Sequence, residues 1–584
     1  MAWNLHSGGA SGRAPAASVE RTMREKFRQS ISWLHTWSGL IIGWLLFAIF
    51  FTGTYSYFRN EITYWMQPEL HGSIPTGSEA SMAVNYLERV APDSPSWSIT
   101  LPDARNRVVQ VVFREQPQQI QAPERPGKER PEGAENTGRQ PRDEGRAHTA
   151  AEGGDKPDNT KNTQQENATP VRVPMTVHYL DSQTGERIIP RETRGGTFLY
   201  RFHVELYGMD RMTGRKIIGA ATMVMFIAII SGVIIHKRIF ADFFTFRRKK
   251  GTRSWTDAHI FTAVLALPYH IMITYSGLVL FMMILLPWNA DGMRRMHSHA
   301  QPAQTVSYEE RVKLTPVEPL IKNAEERLKS KIQRISISNQ GKKNMLIEMV
   351  PSGRKSITAT GRGSGTAVQV AYNGVNGRFM GEAVTSAPNA VAATANVLGS
   401  LHLARFADTF TRWLFFISGV LGTAMVGTGL IIWTHKKSKA MNKSFGRKLV
   451  EVLNVGGMTG LTAATAVHLW SNRLLPFDLA SRANWEIRLF FTAWLLCCLH
   501  PLVRPVRKAW TEQLAFCAAL YCLLPVLNAF TSKVNLFSAI AQGNAIIAGF
   551  DLTVFGFGLL FGYAAWKTSE IEEKKPSAAA QGVH

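Results

Sequence analysis

Cysteine is scarce, with 4 in 584 residues, and Cys497, Cys498, Cys517 and Cys522 all fall in late apolar runs. That placement excludes a disulfide framework in the water-exposed segments, and the thiols read as small core hydrophobes. A cleavable signal peptide is also missing: the first 30 residues are polar, and the first apolar run is long enough to remain as an anchor. No nicotinamide- or flavin-binding motif is visible in the short loops. Carboxylates are few in the apolar runs; Asp257, two residues before His259, is the nearest to a histidine there.

What the chain has is apolar length. Hydrophobic residues make up 45% and mean hydropathy is −0.07, the balance of several spanning helices tied to large polar segments. Residues 33–57, 217–235, 260–288 and 410–433 are each long enough to cross a hydrocarbon layer of ~30 Å at ~1.5 Å per residue. Runs at 452–470, 487–502, 514–530 and 545–566 bring the expectation to eight spans. The basic segments 236–250, 435–448 and 504–508 fall on one side by alternation, which assigns that side, and both termini, to the cytoplasm. Membrane orientation thus accounts for most of the formal charge of +23, and a nucleic-acid partner is not expected.

The resulting plan is a cytoplasmic tail (1–30), a first span (31–57), an outer segment (58–214), a second span (215–238), a cytoplasmic loop (239–257) and a third span (258–288). A second outer segment (289–407), a fourth span (408–435), a loop (436–450), four further spans (451–567) and a cytoplasmic tail (568–584) complete it. Each outer segment has a helix followed by strands: 78–91 with 96–100, 108–113 and 173–180, then 316–329 with 333–338, 345–350 and 368–372. The stretch 116–167, rich in Pro, Gly, Glu, Gln and Arg, reads as a disordered insertion. The fold expected is mainly α: duplicated helix pairs forming a four-helix core, two outer α+β modules and about four additional C-terminal helices.

Histidines mark the duplication. His35 and His259 each precede a glycine, Gly53 and Gly277, by 18 positions, and His203 and His402 precede His236 and His435 by 33. His35, His236, His259 and His435 should lie near the cytoplasmic side, and His203, His270 and His402 near the outer one. His270 follows His259 by 11 residues, ~16 Å along a straight helix and ~20° around it. It has no counterpart in the first copy, where Leu46 stands. Because 33 residues of straight helix would run ~50 Å, His203 and His402 require a bent entry segment, and Gly208 and Gly214 supply a break in the first copy. His468 and His500 have no repeat partner; His71 and His178 read as surface residues, and His297 and His299 as part of a solvated loop.

Imidazoles stacked at two depths, with few carboxylates beside them, suit an iron held from above and below better than a tetrahedral zinc. Glycines at 39, 43, 53, 232 and 277 make room for a flat ring, and Arg201, Lys237, Arg238 and Arg405 stand at its edges. Two bis-histidine b-type haems are the expectation, and the absence of Cys-x-x-Cys-His excludes covalent attachment.

The motifs Trp33-Leu34-His35-x-Trp37-x-Gly39-Leu40, Thr52-Gly53, Ser231-Gly232-Val233-Ile234-Ile235-His236-Lys237 and Leu267-Pro268-Tyr269-His270-x-Met272-Ile273-Thr274-Tyr275-Ser276-Gly277 carry a resemblance. Together with Phe243-Phe244-Thr245-Phe246-Arg247, they are similar to the PepSY-associated transmembrane helix family of bacterial inner-membrane, iron-regulated proteins, over about residues 30–440. Members include reductases of siderophore-bound iron. The resemblance implies PepSY-like periplasmic modules, four core helices, two b haems, and electrons passed from a membrane quinol or cytoplasmic reductase to a ferric siderophore in the periplasm. The chain departs from those reductases in its long insertion and in the helices after Gly446.

Overall fold

In the computed structural model the described residues are 16–103, 105–114, 175–236, 240, 243, 251–285, 311–352, 369–383, 390–437 and 445–573. The insertion 116–167, Lys237, Arg238, Arg294, Arg295, His297 and His299 lie outside them.

The chain begins with a long helix, α1 (Ala16–Ser56), followed by α2 (Arg59–Trp65), α3 (Glu79–Val90) and strands β1 (Ser96–Thr100), β2 (Val109–Arg114), β3 (Met175–Leu180) and β4 (Arg187–Ile188). A short helix, α4 (Gly195–Glu205), then turns into α5 (Arg211–Ile235). The break is written locally. Gly208 takes φ +84°, a Cβ on Gly214 would overlap the carbonyl of Glu205, and the Asp210 carboxylate caps α5 by accepting from the backbone of Met212 and Thr213 at 3.0 Å each.

The second copy follows the same order: α6 (Thr252–Leu265), α7 (Leu267–Leu285), α8 (Val317–Leu328), β5 (Ile332–Ser338), β6 (Leu346–Pro351), β7 (Gln369–Asn373), β8 (Phe379–Ala383), α9 (Ala390–His402) and α10 (Thr409–Lys437). Here the expected straight span over 258–288 is corrected, because α6 and α7 meet at 68°. Pro268 accounts for the bend, since it has no N–H to donate and disfavours helical geometry at Leu267.

Beyond Lys437 the chain adds α11 (Phe445–Asn454), a five-residue π turn (Val455–Thr459), α12 (Gly460–Leu474), α13 (Arg482–Val503), α14 (Val506–Thr531), α15 (Leu536–Ala541) and α16 (Ala545–Glu573). Among the described residues six helices, α1, α5, α10, α13, α14 and α16, are long and apolar enough to cross a membrane, and the bent α6–α7 pair makes up to seven. The eighth expected span, 452–470, falls in α11, the π turn and α12, which run on from one another with helical backbone at Asn454 and Gly460 and are not among these six.

All eight strands form one antiparallel sheet in the order β4-β3-β2-β1-β5-β6-β7-β8. The two outer segments are therefore joined rather than separate: β1 pairs with β5 from Ser96↔Ser338 to Thr100↔Arg334, which removes two edges that would otherwise be exposed. One face carries Ile99, Val111, Ile335, Ile347 and Val370, all at 0% exposure, beneath α3 and α8. This sheet lies at the Ser56 end of α1, here called the sheet side; the last residues of α5 and α10 and the basic stretch 504–508 lie at the other, here called the basic side.

The C-terminal helices dock on the first copy through buried polar groups. Trp65 Nε1 donates to Asp551 at 2.9 Å, and Asn528 donates to the same carboxylate at 2.9 Å. His71, expected at the surface, is 1% exposed, with Nδ1 3.0 Å from the Ser532 hydroxyl and Nε2 2.8 Å from the Tyr64 carbonyl. His178, also expected outside, is 7% exposed and bonded to the Tyr86 hydroxyl at 2.9 Å. In both cases the polar ring is satisfied internally, a pattern that residue type alone does not announce.

Burial pushes the His71 pKa down to about 3, with Arg473 and Arg191 adding repulsion. Its folded pKa lies below the ordinary value of 6.5, so the stability it contributes is complete above pH 6.5 and is lost as pH falls toward 3, by ~1.4 kcal/mol per unit. Melting temperatures of the wild type and of His71→Gln measured between pH 7 and pH 5 should converge on acidification, and a constant gap would contradict this.

Candidate functional site

Four of the seven candidate histidines form two pairs. The ring centroids of His35 and His259 are 6.5 Å apart, and those of His203 and His402 are 6.3 Å apart. His35 on α1 and His259 on α6 lie toward the basic side. His203 on α4 and His402 at the end of α9 lie under the sheet, carried there by the helix breaks that their spacing required.

Each of the four is seated in the same way on a neighbouring helix. His203 Nδ1 is 2.9 Å from the carbonyl of Ile49, His35 Nδ1 is 3.0 Å from that of Ala228, and His259 Nδ1 is 2.8 Å from that of Met425. His402 Nδ1 is 3.0 Å from the Ser276 hydroxyl and also engages the Ile273 backbone. Those backbone groups stand four residues before Gly53, Gly232, Gly429 and Gly277 respectively, and each glycine passes directly under the ring it serves. A Cβ would come within 2.8 Å of His203 at Gly53, 3.3 Å of His35 at Gly232, 3.2 Å of His259 at Gly429 and 3.1 Å of His402 at Gly277.

The chemistry follows from the hydrogen bonds. A carbonyl only accepts, so Nδ1 is the protonated nitrogen and Nε2 keeps its lone pair, which is the tautomer a metal ligand needs. Ser231 and Thr428 add hydroxyls at 3.0 and 3.3 Å from the same Nδ1 atoms of His35 and His259. Two imidazoles on opposite sides of one metal, with bonds of ~2.0–2.1 Å and ring centroids ~1.1 Å beyond each nitrogen, stand about 6.3 Å apart, as both pairs do. Among the described residues no group of three or more His, Cys, Asp or Glu is placed to hold a metal ion. Two protein ligands suit a metal that arrives with its own equatorial donors, and a b-type haem meets that requirement.

The other three candidates are placed differently. His236 caps the end of α5, and His435 bonds back to the Ile431 carbonyl of its own helix at 3.1 Å with its ring 6.2 Å from Trp255. Equal depth had grouped them with His35 and His259, but depth does not fix the direction in which a side chain points. His270, past the bend, is fully buried against Phe50 and Tyr269, beside the backbone of Ser418 and Ala263, and a Cβ on Gly422, four residues after Ser418, would come within 3.1 Å of its Nε2. It makes no ring contact with either pair among the described residues. His468 lies 5.1 Å from Phe198, beside the backbone of Gly195 and Glu486, and His500 pairs with Glu512 at 3.0 Å.

Of the edge cations, Arg201 pairs with Glu205 at 3.3 Å. The hydroxyls of Ser231, Ser276 and Thr428 were not anticipated, although a signal was present: every seating glycine follows a hydroxyl residue, in Thr52-Gly53, Ser231-Gly232, Ser276-Gly277 and Thr428-Gly429.

Gly53→Ala should lower the melting temperature, because the methyl displaces His203. Gly556→Ala, in α16 and with nothing within 4 Å of the new Cβ, should leave it unchanged or raise it by the helix preference of alanine, ~1 kcal/mol. Equal effects in the two variants would contradict the seating role.

Two comparisons with known proteins bear on this geometry. A protein of Pseudomonas aeruginosa strain PAO1, "Uncharacterized protein PA4219", is 23% identical over 397 residues, covering 64% of this chain and 95% of its own length. The family model described as PepSY-associated TM region matches residues 32–436, which contain both histidine pairs and the sheet and end before α11. This multi-pass membrane protein belongs to the PepSY-associated TM family.

Proposed function

We propose that this protein is a di-haem b oxidoreductase of the bacterial inner membrane, reducing ferric iron in siderophore chelates on its periplasmic, sheet-bearing side. One observation carries the reading: two imidazole pairs, each with Nδ1 tied to backbone or hydroxyl, at separations that suit a shared metal, stand at opposite ends of one helical core. His35 and His259 would hold one haem, and His203 and His402 the other. When bound, each supplies a one-electron ferric/ferrous couple.

The residues account for transfer across the membrane. His35 and Gly53, where His203 is seated, lie 18 residues apart on α1, ~27 Å of helix. A carrier at each level would divide the hydrocarbon layer into shorter steps. Seating each ring on a fixed carbonyl limits its movement between oxidation states, which keeps reorganisation small. Iron reduced at the sheet side is less highly charged and softer, so a hard-oxygen chelate releases it more readily. The donor in this reading is a membrane quinol or a cytoplasmic reductase, engaging the basic side.

Purified protein should show a dithionite-reducible b-type Soret and α band, with two haems per chain by pyridine haemochrome. His35→Ala or His259→Ala should remove one haem, His203→Ala or His402→Ala the other, and His270→Ala neither. The reduced protein should be reoxidised by a ferric hydroxamate with ferrous iron trapped by ferrozine. Absence of the reducible bands would sink the redox reading, leaving a non-redox PepSY sensor or inhibitor. Haem reoxidation without ferrous product would instead favour a quinol-linked carrier serving another periplasmic acceptor.

A further inference from the structure

The helix that carries His203 is held between two bodies. Its His203 face lies on α1, against Ile49 and Gly53. Its opposite face lies on the C-terminal helices, beyond the matched family region. Phe198, 2% exposed, stands 5.0 Å from Phe490 and 5.1 Å from His468, and Phe202, next to the ligand histidine, stands 5.9 Å from Trp494 and 6.2 Å from Phe491.

The start of α4 is fastened as well. Thr193 donates to Glu486 at 2.6 Å and accepts from the backbone of Gly195 at 2.9 Å, so one hydroxyl links the first turn of α4 to α13. Arg482 donates to the Glu192 carbonyl at 3.0 Å and to Glu486 at 2.6 Å, and Arg191 donates to the Asn472 carbonyl at 2.8 Å. Arg482 and Glu486 are both at 0% exposure, so the clamp excludes water. His402 is held otherwise: α9 packs on α7, where a Cβ on Gly399 would meet Leu280 at 3.6 Å.

We propose that Glu486, Arg482 and the Phe490–Trp494 wall of the C-terminal helices are positioning residues for His203, tuning the sheet-side histidine pair without acting on the His35–His259 pair. The clamp fixes the pitch and rotation of α4, and the aromatic wall keeps water from the rear of the His203 ring. Axial-ligand orientation and local polarity are the levers by which a protein sets the potential of a haem. Loosening α4 admits water, which favours the more highly charged ferric state, so the sheet-side potential should fall.

The tuning rests on the haem reading above, whereas the mechanical clamp does not. In the full chain, Thr193→Val, Phe198→Leu and Glu486→Gln should each raise amide hydrogen exchange over 195–205. Redox titration should then show one midpoint lowered, in the Phe198→Leu protein by the equivalent of about tenfold in the ferrous/ferric ratio, ~59 mV for one electron. The same variants should change one of the two low-spin ferric electron paramagnetic resonance signals, namely the one missing from His203→Ala. Thr193→Ser, which keeps the hydroxyl, should restore wild-type values.

Unchanged exchange over 195–205 in all three variants would overturn the clamp, whether or not haem is bound. Increased exchange with both midpoints unmoved, or both moved alike, would overturn the selective tuning. A wild-type protein without haem would overturn the tuning together with the reading of the preceding subsection, while the exchange experiment would still decide the clamp.

Discussion

A ring placed between helices must lie close to backbone, and it must satisfy a polar nitrogen where no water is at hand. The seating of each imidazole over a glycine meets both demands, and the rest of the molecule is arranged around it. The missing side chain lets the ring approach, and the carbonyl one turn earlier accepts from Nδ1. One contact therefore fixes position, orientation and tautomer together. The bend before α7 and the breaks after α4 and α9 bring ligand and seat to the same level.

The seating is also what makes the two copies one site. Ala228, Ser231 and Gly232 on α5, which hold His35, correspond to Met425, Thr428 and Gly429 on α10, which hold His259, each pair 197 positions apart. His35 and His259 are separated by 224 positions, as are Ile49 and Ile273 and Gly53 and Gly277. The first helix of each copy thus supplies one paired histidine and one seat, and the two pairs straddle a pseudo-two-fold axis. That symmetry continues in the sheet, where β1 and β5 pair antiparallel at its centre with Ser98 opposite Ser336.

Most of the frame was legible in the sequence. Apolar length located the spans, the 18-residue spacing marked the repeat on α1 and on the α6–α7 pair, and the distance from His203 to His236 required a broken entry; that the same glycines lie under imidazoles, where room for a flat ring was expected, emerged only from the fold. Pairing was not legible, because spacing gives depth along a helix and pairing depends on azimuth. His236 and His435 share a depth with His35 and His259 and are oriented elsewhere. The 33-residue interval described the repeat, while the seats on α5 and α10 obey a different offset by two residues. The bend at Pro268 had a visible cause, and the recurring Ser/Thr-Gly steps gave a seating signal that spacing between histidines did not use. The joined sheet followed from two edges meeting, which neither outer segment encodes alone.

The C-terminal helices add asymmetry to this symmetric frame. A buried pair such as Arg482–Glu486 is weak support for stability, because desolvation offsets most of its attraction. Its geometry is nevertheless demanding, since each partner also bonds to groups in the first copy: Arg482 to the Glu192 carbonyl, and Glu486 to Thr193. Misdocking would leave both charges buried and unpaired, a far larger penalty than the pair's net gain, so the cluster selects one docking pose. That pose fixes one of the two histidine-bearing helices under the sheet, α4, while α9 keeps the packing of the duplicated core. A frame built by duplication tends to give its two histidine pairs similar surroundings; a domain that grips the helix of one histidine makes them different.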